Sequence, residues 1–147
     1  MSEPIVKNLV NHIDDRGFVR EVLRCDDPFF KQFGQAYVSA VNSGVIKGFH
    51  KHFRQTEHIT CIYGQVKLVL VDFRDGNKNI YEYNLSPLAP KLVVVEPDVW
   101  YGWRGLGLET SLLMNITTEP YDSKNPDGVK MDPHDPFFDY DWKVKDR

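Results

Sequence analysis

The feature that most constrains this chain is a series of short β-type runs. Gln35 to Val41 (QAYVSAV), Ile59 to Tyr63 (ITCIY), Val66 to Phe73 (VKLVLVDF), Ile80 to Leu85 (IYEYNL) and Leu92 to Val95 (LVVV) are rich in Val, Ile, Leu and Tyr. Each is bounded by Gly, Pro, Asn or Asp, which close strands and open turns. Tyr63-Gly64-Gln65 reads as a tight hairpin with glycine supplying a positive φ, and Asp75-Gly76-Asn77 as a second turn. No apolar i, i+3, i+4, i+7 pattern persists for several turns, so helices do not organise the fold. Regularly spaced short strands predict an all-β sandwich or small barrel. With 147 residues, 41% of them hydrophobic, the chain can bury one core, and a single domain over 1–147 is expected.

From about Glu119 the composition shifts to Pro, Asp, Asn and aromatics. Val129, Met131, Phe137, Phe138, Tyr140 and Trp142 in that stretch predict a packed, irregular C-terminal wrap rather than a loose tail.

Several function classes drop out early. Eighteen Lys plus Arg against twenty-one Asp plus Glu give a net charge of −3, without the basic excess of a nucleic-acid binder. Apolar stretches are too short and too often broken by charge to span a membrane as a helix. The N-terminus carries neither a basic n-region nor an apolar h-region, and Cys25 and Cys61 form no CxxC pair, so a cytoplasmic protein with free thiols is expected. G-x-S-x-G, H-E-x-x-H and P-loop patterns are missing. Gly105-Leu106-Gly107 lacks the third glycine of a dinucleotide loop.

The densest chemistry lies in GVIKGFHKHFRQTEHITCIYG, Gly44 to Gly64. His50 and His52, one residue apart, project from the same face of a strand. Glu57 follows, and His58 beside it points to the opposite face, as a structural histidine would. The spacing G-x5-H-x-H-x4-E-x6-G resembles the first conserved motif of the cupin superfamily, which implies a double-stranded β-helix, or jelly roll. Many cupins hold a metal with this triad and one histidine of a second motif. Here the second motif reads Pro97-Asp98-Val99-Trp100-Tyr101-Gly102 and has no histidine. No metal is therefore expected; if one bound, its ligands would be His50, His52 and Glu57.

Further segments resemble one cupin branch, the dTDP-4-dehydrorhamnose 3,5-epimerase family. They are Asp15-Arg16-Gly17-Phe18 with Glu21, Gly44-Val45-Ile46-Lys47-Gly48-Phe49-His50, Val71-Asp72-Phe73-Arg74, Leu85-Ser86, and Asp135-Pro136 with Trp142 beyond. The resemblance implies proton transfer next to the ketone of a dTDP-linked 4-keto sugar, without an organic cofactor, since the carbonyl itself stabilises the carbanion. It implies His50 as the base, with Asp135 fixing its tautomer. Lys47 stands in the place of a family arginine; it and His52 are candidates to stabilise the enolate. Asn115 occupies the place of the family's catalytic tyrosine, which leaves Tyr37 and Tyr101 as candidate proton donors. Arg16 and Lys47 are the expected diphosphate contacts, with Arg54, Lys51 and Arg74 as weaker candidates. Glu21, Gln35, Asn115 and Trp100 complete the expected substrate site, Gln35 because it shares a strand face with Tyr37. The family also implies a homodimer with exchanged N-terminal strands.

Gly48-Phe49-His50-Lys51-His52 and Pro97-Asp98-Val99-Trp100 also resemble the dTDP-4-keto-6-deoxyglucose 3,4-ketoisomerases, which carry a tyrosine one strand earlier, as Tyr37 is here. A non-catalytic sugar-nucleotide binder is the alternative from another class, motivated by Asn115, and a metal-dependent cupin oxygenase is a third reading.

Overall fold

The computed structural model describes residues 3–146. It holds twelve strands: β1 (Val6–Asn8), β2 (His12–Asp14), β3 (Gly17–Val19), β4 (Gln35–Val41), β5 (Ile46–His52), β6 (Glu57–Tyr63), β7 (Val66–Asp72), β8 (Asn79–Leu85), β9 (Lys91–Val95), β10 (Trp100–Gly105), β11 (Ser111–Thr117) and β12 (Gly128–Lys130). Two five-stranded sheets, ordered β1-β9-β6-β11-β4 and β12-β5-β10-β7-β8, face each other as a jelly roll; β2 and β3 form a separate hairpin. All pairings are antiparallel. The all-β jelly roll expected from the sequence is therefore the fold, and Gly64 closes the β6–β7 hairpin at φ 76°.

The core between the sheets collects inward-facing residues two apart along each strand, among them Ile59 and Cys61, Val66, Leu68 and Leu70, Val93 and Val95, Tyr101 and Trp103. β7 is apolar almost throughout because it is covered on both faces. Val69 and Val71 turn outward into a second cluster with Phe49, Trp100, Phe138 and Trp142. That cluster is the C-terminal wrap: Phe138 and Trp142 are buried, whereas Val129 and Phe137 are exposed. Backbone bonds between Phe49 and Met131 in both directions, 2.9 and 3.0 Å, fasten the start of the wrap to β5.

A register shift places the functional face of β5. Trp103 opposes Lys47 while Tyr101 opposes His50, so the pairing slips between them and residues three apart come to one side. Gly48 sits in the slip at φ 141°, where an added Cβ would lie 2.6 Å from the Cα of Gly102. Gly48→Ala is expected to cost on the order of 1–3 kcal/mol and to separate β5 from β10. A lowered denaturation midpoint would register it; an unchanged midpoint would mean that this close approach is not needed.

Candidate active site

The open end of the barrel holds two adjoining compartments of about 660 and about 460 Å³. Tyr37, His50, His52 and Lys130 line both. The smaller adds Ser39, Lys47, Tyr101 and Trp103; the larger adds Gln35, Arg54, Gln55 and residues of the 119–129 loop, including Asp122 and Asp127. Together they have the size of a pocket for a drug-sized or larger ligand. One compartment is cationic and aromatic, the other mixed in charge.

His50 is half-buried on β5 between Tyr101 of β10 and Lys130 of β12, which are its cross-strand neighbours. Its ring lies 5.7 Å from that of Tyr101 and 5.9 Å from that of Trp103. Burial, followed by the positive charges of Lys130, His52 and Lys47, lowers its pKa to about 4. His50 is thus a neutral imidazole at physiological pH, facing the cavity with no protein hydrogen-bond partner among the described residues. Lys47 stands beside it and donates to Ser39 Oγ at 3.2 Å.

Behind the cavity wall lies a polar knot. Glu57, 1% exposed, begins β6 and points inward. Gln55 Nε2 donates to its Oε1 and Asn115 Nδ2 to its Oε2. His52 Nε2 approaches Glu57 Oε1 to 3.3 Å and the Tyr101 hydroxyl to 3.2 Å. Burial raises the Glu57 carboxyl, and His52, Asn115, Gln55 and Tyr101 oppose that rise. Asn115 Nδ2 also donates to the Tyr37 hydroxyl oxygen at 2.8 Å, across the directly paired residues of β4 and β11. Burial and the nearby Glu57 charge push the Tyr37 phenol up to about 12, partly offset by the Asn115 bond.

His50, His52, Tyr37, Tyr101, Lys47 and Gln35 converge on the cavity as the sequence anticipates. Asn115 does not line it but supports Tyr37 from behind. Asp135 is not the partner of His50. Its carboxylate accepts the backbone N–H of Phe137 at 2.8 Å in a turn of the wrap, and it lines neither compartment. Trp100 also differs from expectation. Strand alternation sends Tyr101 and Trp103 inward and Trp100 outward, under Phe138 at 5.3 Å between ring centroids. Arg16 and Glu21 lie outside the cavity of their own chain. Arg16 pairs with Asp14 at the exposed tip of the β2–β3 hairpin, and Glu21 pairs with Arg24 at 2.7 Å. Arg74 is held by Asp72 and Glu96. His58 faces away from the cavity, with Nδ1 2.8 Å from Ile116 O and Phe29 beside it.

Among the described residues no group of three or more His, Cys, Asp and Glu side chains is placed to hold a metal ion. Sequence reasoning missed Lys130, Gln55 and Asp127. Lys130 belongs to a three-residue strand with no periodicity to reveal it, and its pairing with His50 emerges only in three dimensions. Asp127 Oδ2 accepts the backbone N–H groups of Arg54 and Gln55 and so ties the 119–129 loop to the turn after β5.

Fold and cavity define a cupin-type barrel with histidine, tyrosine and lysine side chains set around an open cavity. A sequence model of the dTDP-4-dehydrorhamnose 3,5-epimerase family matches residues 2–147, and the chain belongs to that family. SpsL of Bacillus subtilis strain 168, a spore coat polysaccharide biosynthesis protein, is 33% identical over 145 residues, spanning 97% of this chain and 96% of its own. Agl13 of Haloferax volcanii, a probable low-salt glycan biosynthesis epimerase, is 28% identical over 145 residues, spanning 95% and 93%. The crystal structure of a dTDP sugar isomerase from Desulfovibrio desulfuricans G20 superposes with a TM-score of 0.88 at 26% identity, covering 97% of this chain and 92% of that one.

Proposed function

We propose that this chain is a cofactor-independent epimerase of a dTDP-linked 4-keto-6-deoxyhexose, serving deoxysugar and polysaccharide biosynthesis. The observation that carries the reading is a neutral, unpartnered imidazole, His50, held in the cavity beside Lys47 and Lys130 and across from the Tyr37 phenol. A ketone acidifies the C–H bonds next to it. His50 takes such a proton, and the enolate oxygen that forms draws on the neighbouring cationic side chains. Tyr37 returns a proton to the carbon, inverting the centre. Tyr101 is less suited to that role, because its hydroxyl is buried and already engaged by Glu57 and His52. The cationic compartment, with Lys47 and Lys130, suits the substrate's diphosphate.

The assembly proposed is a homodimer. The β2–β3 hairpin exposes Ile13, Phe18 and Val19 at 77%, 59% and 66%, a surface fit to be covered by a second copy. Such packing would also decide whether Arg16 reaches the partner's cavity. The two cysteines are unpaired, and among the described residues no helix is long and apolar enough to cross a membrane; both fit action in the cytoplasm.

The test is conversion of dTDP-4-keto-6-deoxyglucose, with the product's carbonyl position and ring configuration read by NMR. The expected product keeps its carbonyl at C4 and is inverted at C3, at C5 or at both. Migration of the carbonyl to C3 would identify a ketoisomerase instead, and binding without conversion would identify a non-catalytic binder.

A further inference from the structure

Glu57 is a fully buried carboxylate at the site, and the reaction as written gives it no part. Three donors face it, the amides of Gln55 and Asn115 and the hydroxyl of Tyr101, and His52 Nε2 lies 3.3 Å from its Oε1. A carboxylate accepts hydrogen bonds at both oxygens, whereas an amide side chain presents an acceptor on one side and two donors on the other. Glu57 therefore dictates how Asn115 lies: the amide NH2 must face the carboxylate. Asn115 Oδ1, on the other side of the amide, is buried with no hydrogen-bond partner among the described residues, as this orientation entails.

The consequence reaches the cavity. With its NH2 held toward Glu57, Asn115 also donates to the Tyr37 oxygen at 2.8 Å. A hydroxyl oxygen that receives a hydrogen bond from that side must send its own hydrogen elsewhere. Tyr37 lines both compartments, and no acceptor for its hydrogen lies among the described residues, so the O–H is free to point into the cavity. Had the amide lain the other way, Asn115 Oδ1 would accept from Tyr37 and draw the proton back into the wall.

We propose that Glu57 is a positioning residue that sets the direction of the hydrogen-bond chain Glu57–Asn115–Tyr37 and thereby makes Tyr37 a donor toward substrate. Asn115, in the place where the family carries a tyrosine, is the relay of that direction. The same bond stabilises the phenolate formed when Tyr37 gives up its proton, and water reprotonates it after product leaves. The inference rests on the epimerase reading and on Tyr37 as the acid.

The experiment compares inversion with exchange in D2O, using the full-length protein and dTDP-4-keto-6-deoxyglucose. Proton removal by His50 and return of deuterium by the same group labels the substrate without inverting it; return by Tyr37 yields the epimer. The ratio of epimer formed to deuterium gained by unconverted substrate is a property of folded molecules and does not depend on how much of a variant folds. Glu57→Gln leaves one acceptor oxygen for the two amides that Glu57 serves, so the direction of the chain is no longer fixed, and Asn115→Leu deletes the relay. Each is expected to lower the ratio at least about tenfold, general acid catalysis being worth about 10²–10⁴ in rate. Glu57→Gln added to Tyr37→Phe is expected to lower it no further. Wild-type ratios in both single variants, or a further loss in the double variant, would overturn the proposal. Failure of the wild-type protein to exchange or epimerise at all would instead overturn the functional reading beneath it.

Discussion

His50→Ala is expected to lower proton abstraction by about 10²–10⁴-fold while leaving the barrel folded and dTDP binding within a few-fold of wild type. The asymmetry follows from the geometry. The His50 side chain is half-buried at the cavity surface and makes no hydrogen bond to another described residue, so its removal opens space toward solvent rather than a sealed void. The cations beside it, Lys47 and Lys130, remain to hold an anionic ligand. Loss of nucleotide binding in parallel with activity would show that His50 is an anchor and not a base.

The protonation state of His50 adds a pH signature. Burial and three neighbouring positive groups hold its folded-state pKa at about 4, below the ordinary imidazole value of 6.5. Between those values the unfolded chain binds a proton at this position and the folded chain does not. The contribution of His50 to stability is therefore most favourable above pH 6.5 and is lost as pH falls toward 4. His50→Ala should be less sensitive to acid across that window than wild type, as read from denaturation midpoints at pH 7 and pH 5. The His50 imidazole also stays unprotonated well below pH 6 in the free protein, so if it is the base the acid limb of kcat/KM falls below the usual imidazole range.

Phe138→Ala is expected to destabilise the protein by about 3–5 kcal/mol, the cost typical of truncating a fully buried phenylalanine. Phe138 is wholly buried, with its ring centroid 4.1 Å from that of Phe49 and 5.3 Å from that of Trp100. Against a total stability of about 5–15 kcal/mol, such a loss is large. It also bears on the site, since Phe49 directly precedes His50 and is the residue to which the wrap is pinned. A shift of less than about 1 kcal/mol in chemical denaturation would mean that the wrap is peripheral to the fold.

Much of this architecture is legible in the sequence because strand patterning is local. The run Gln35 to Val41 is β4 residue for residue, and the Ile80, Leu92 and Val66 runs match β8, β9 and β7 to within a residue or so at their ends. His50 and His52 share a face as period-2 alternation requires. Alternation also held the answer for Trp100, but choosing which of two neighbouring aromatics faces inward needs the opposite wall, and that wall is the C-terminal wrap. Lys47 joins His50 on the cavity only through the register shift at Gly48, which no periodicity announces. The Asp135 expectation rests on a short Asp-Pro pair near the chain end, where turn formation competes for the same carboxylate. Glu57 was legible as chemistry but not as a role: the spacing suggests a metal ligand, while its hydrogen bonds depend on Gln55, Asn115 and Tyr101 meeting it from three elements.

The central claim is that His50 removes a proton from the carbon next to the ketone of a nucleotide-linked sugar. Mass spectrometry of dTDP-4-keto-6-deoxyglucose incubated in D2O with wild-type protein and with His50→Ala tests it most directly. Deuterium at C3 or C5 with the wild type, and only background labelling with the variant, is the predicted result. Equal labelling by both proteins would contradict the account.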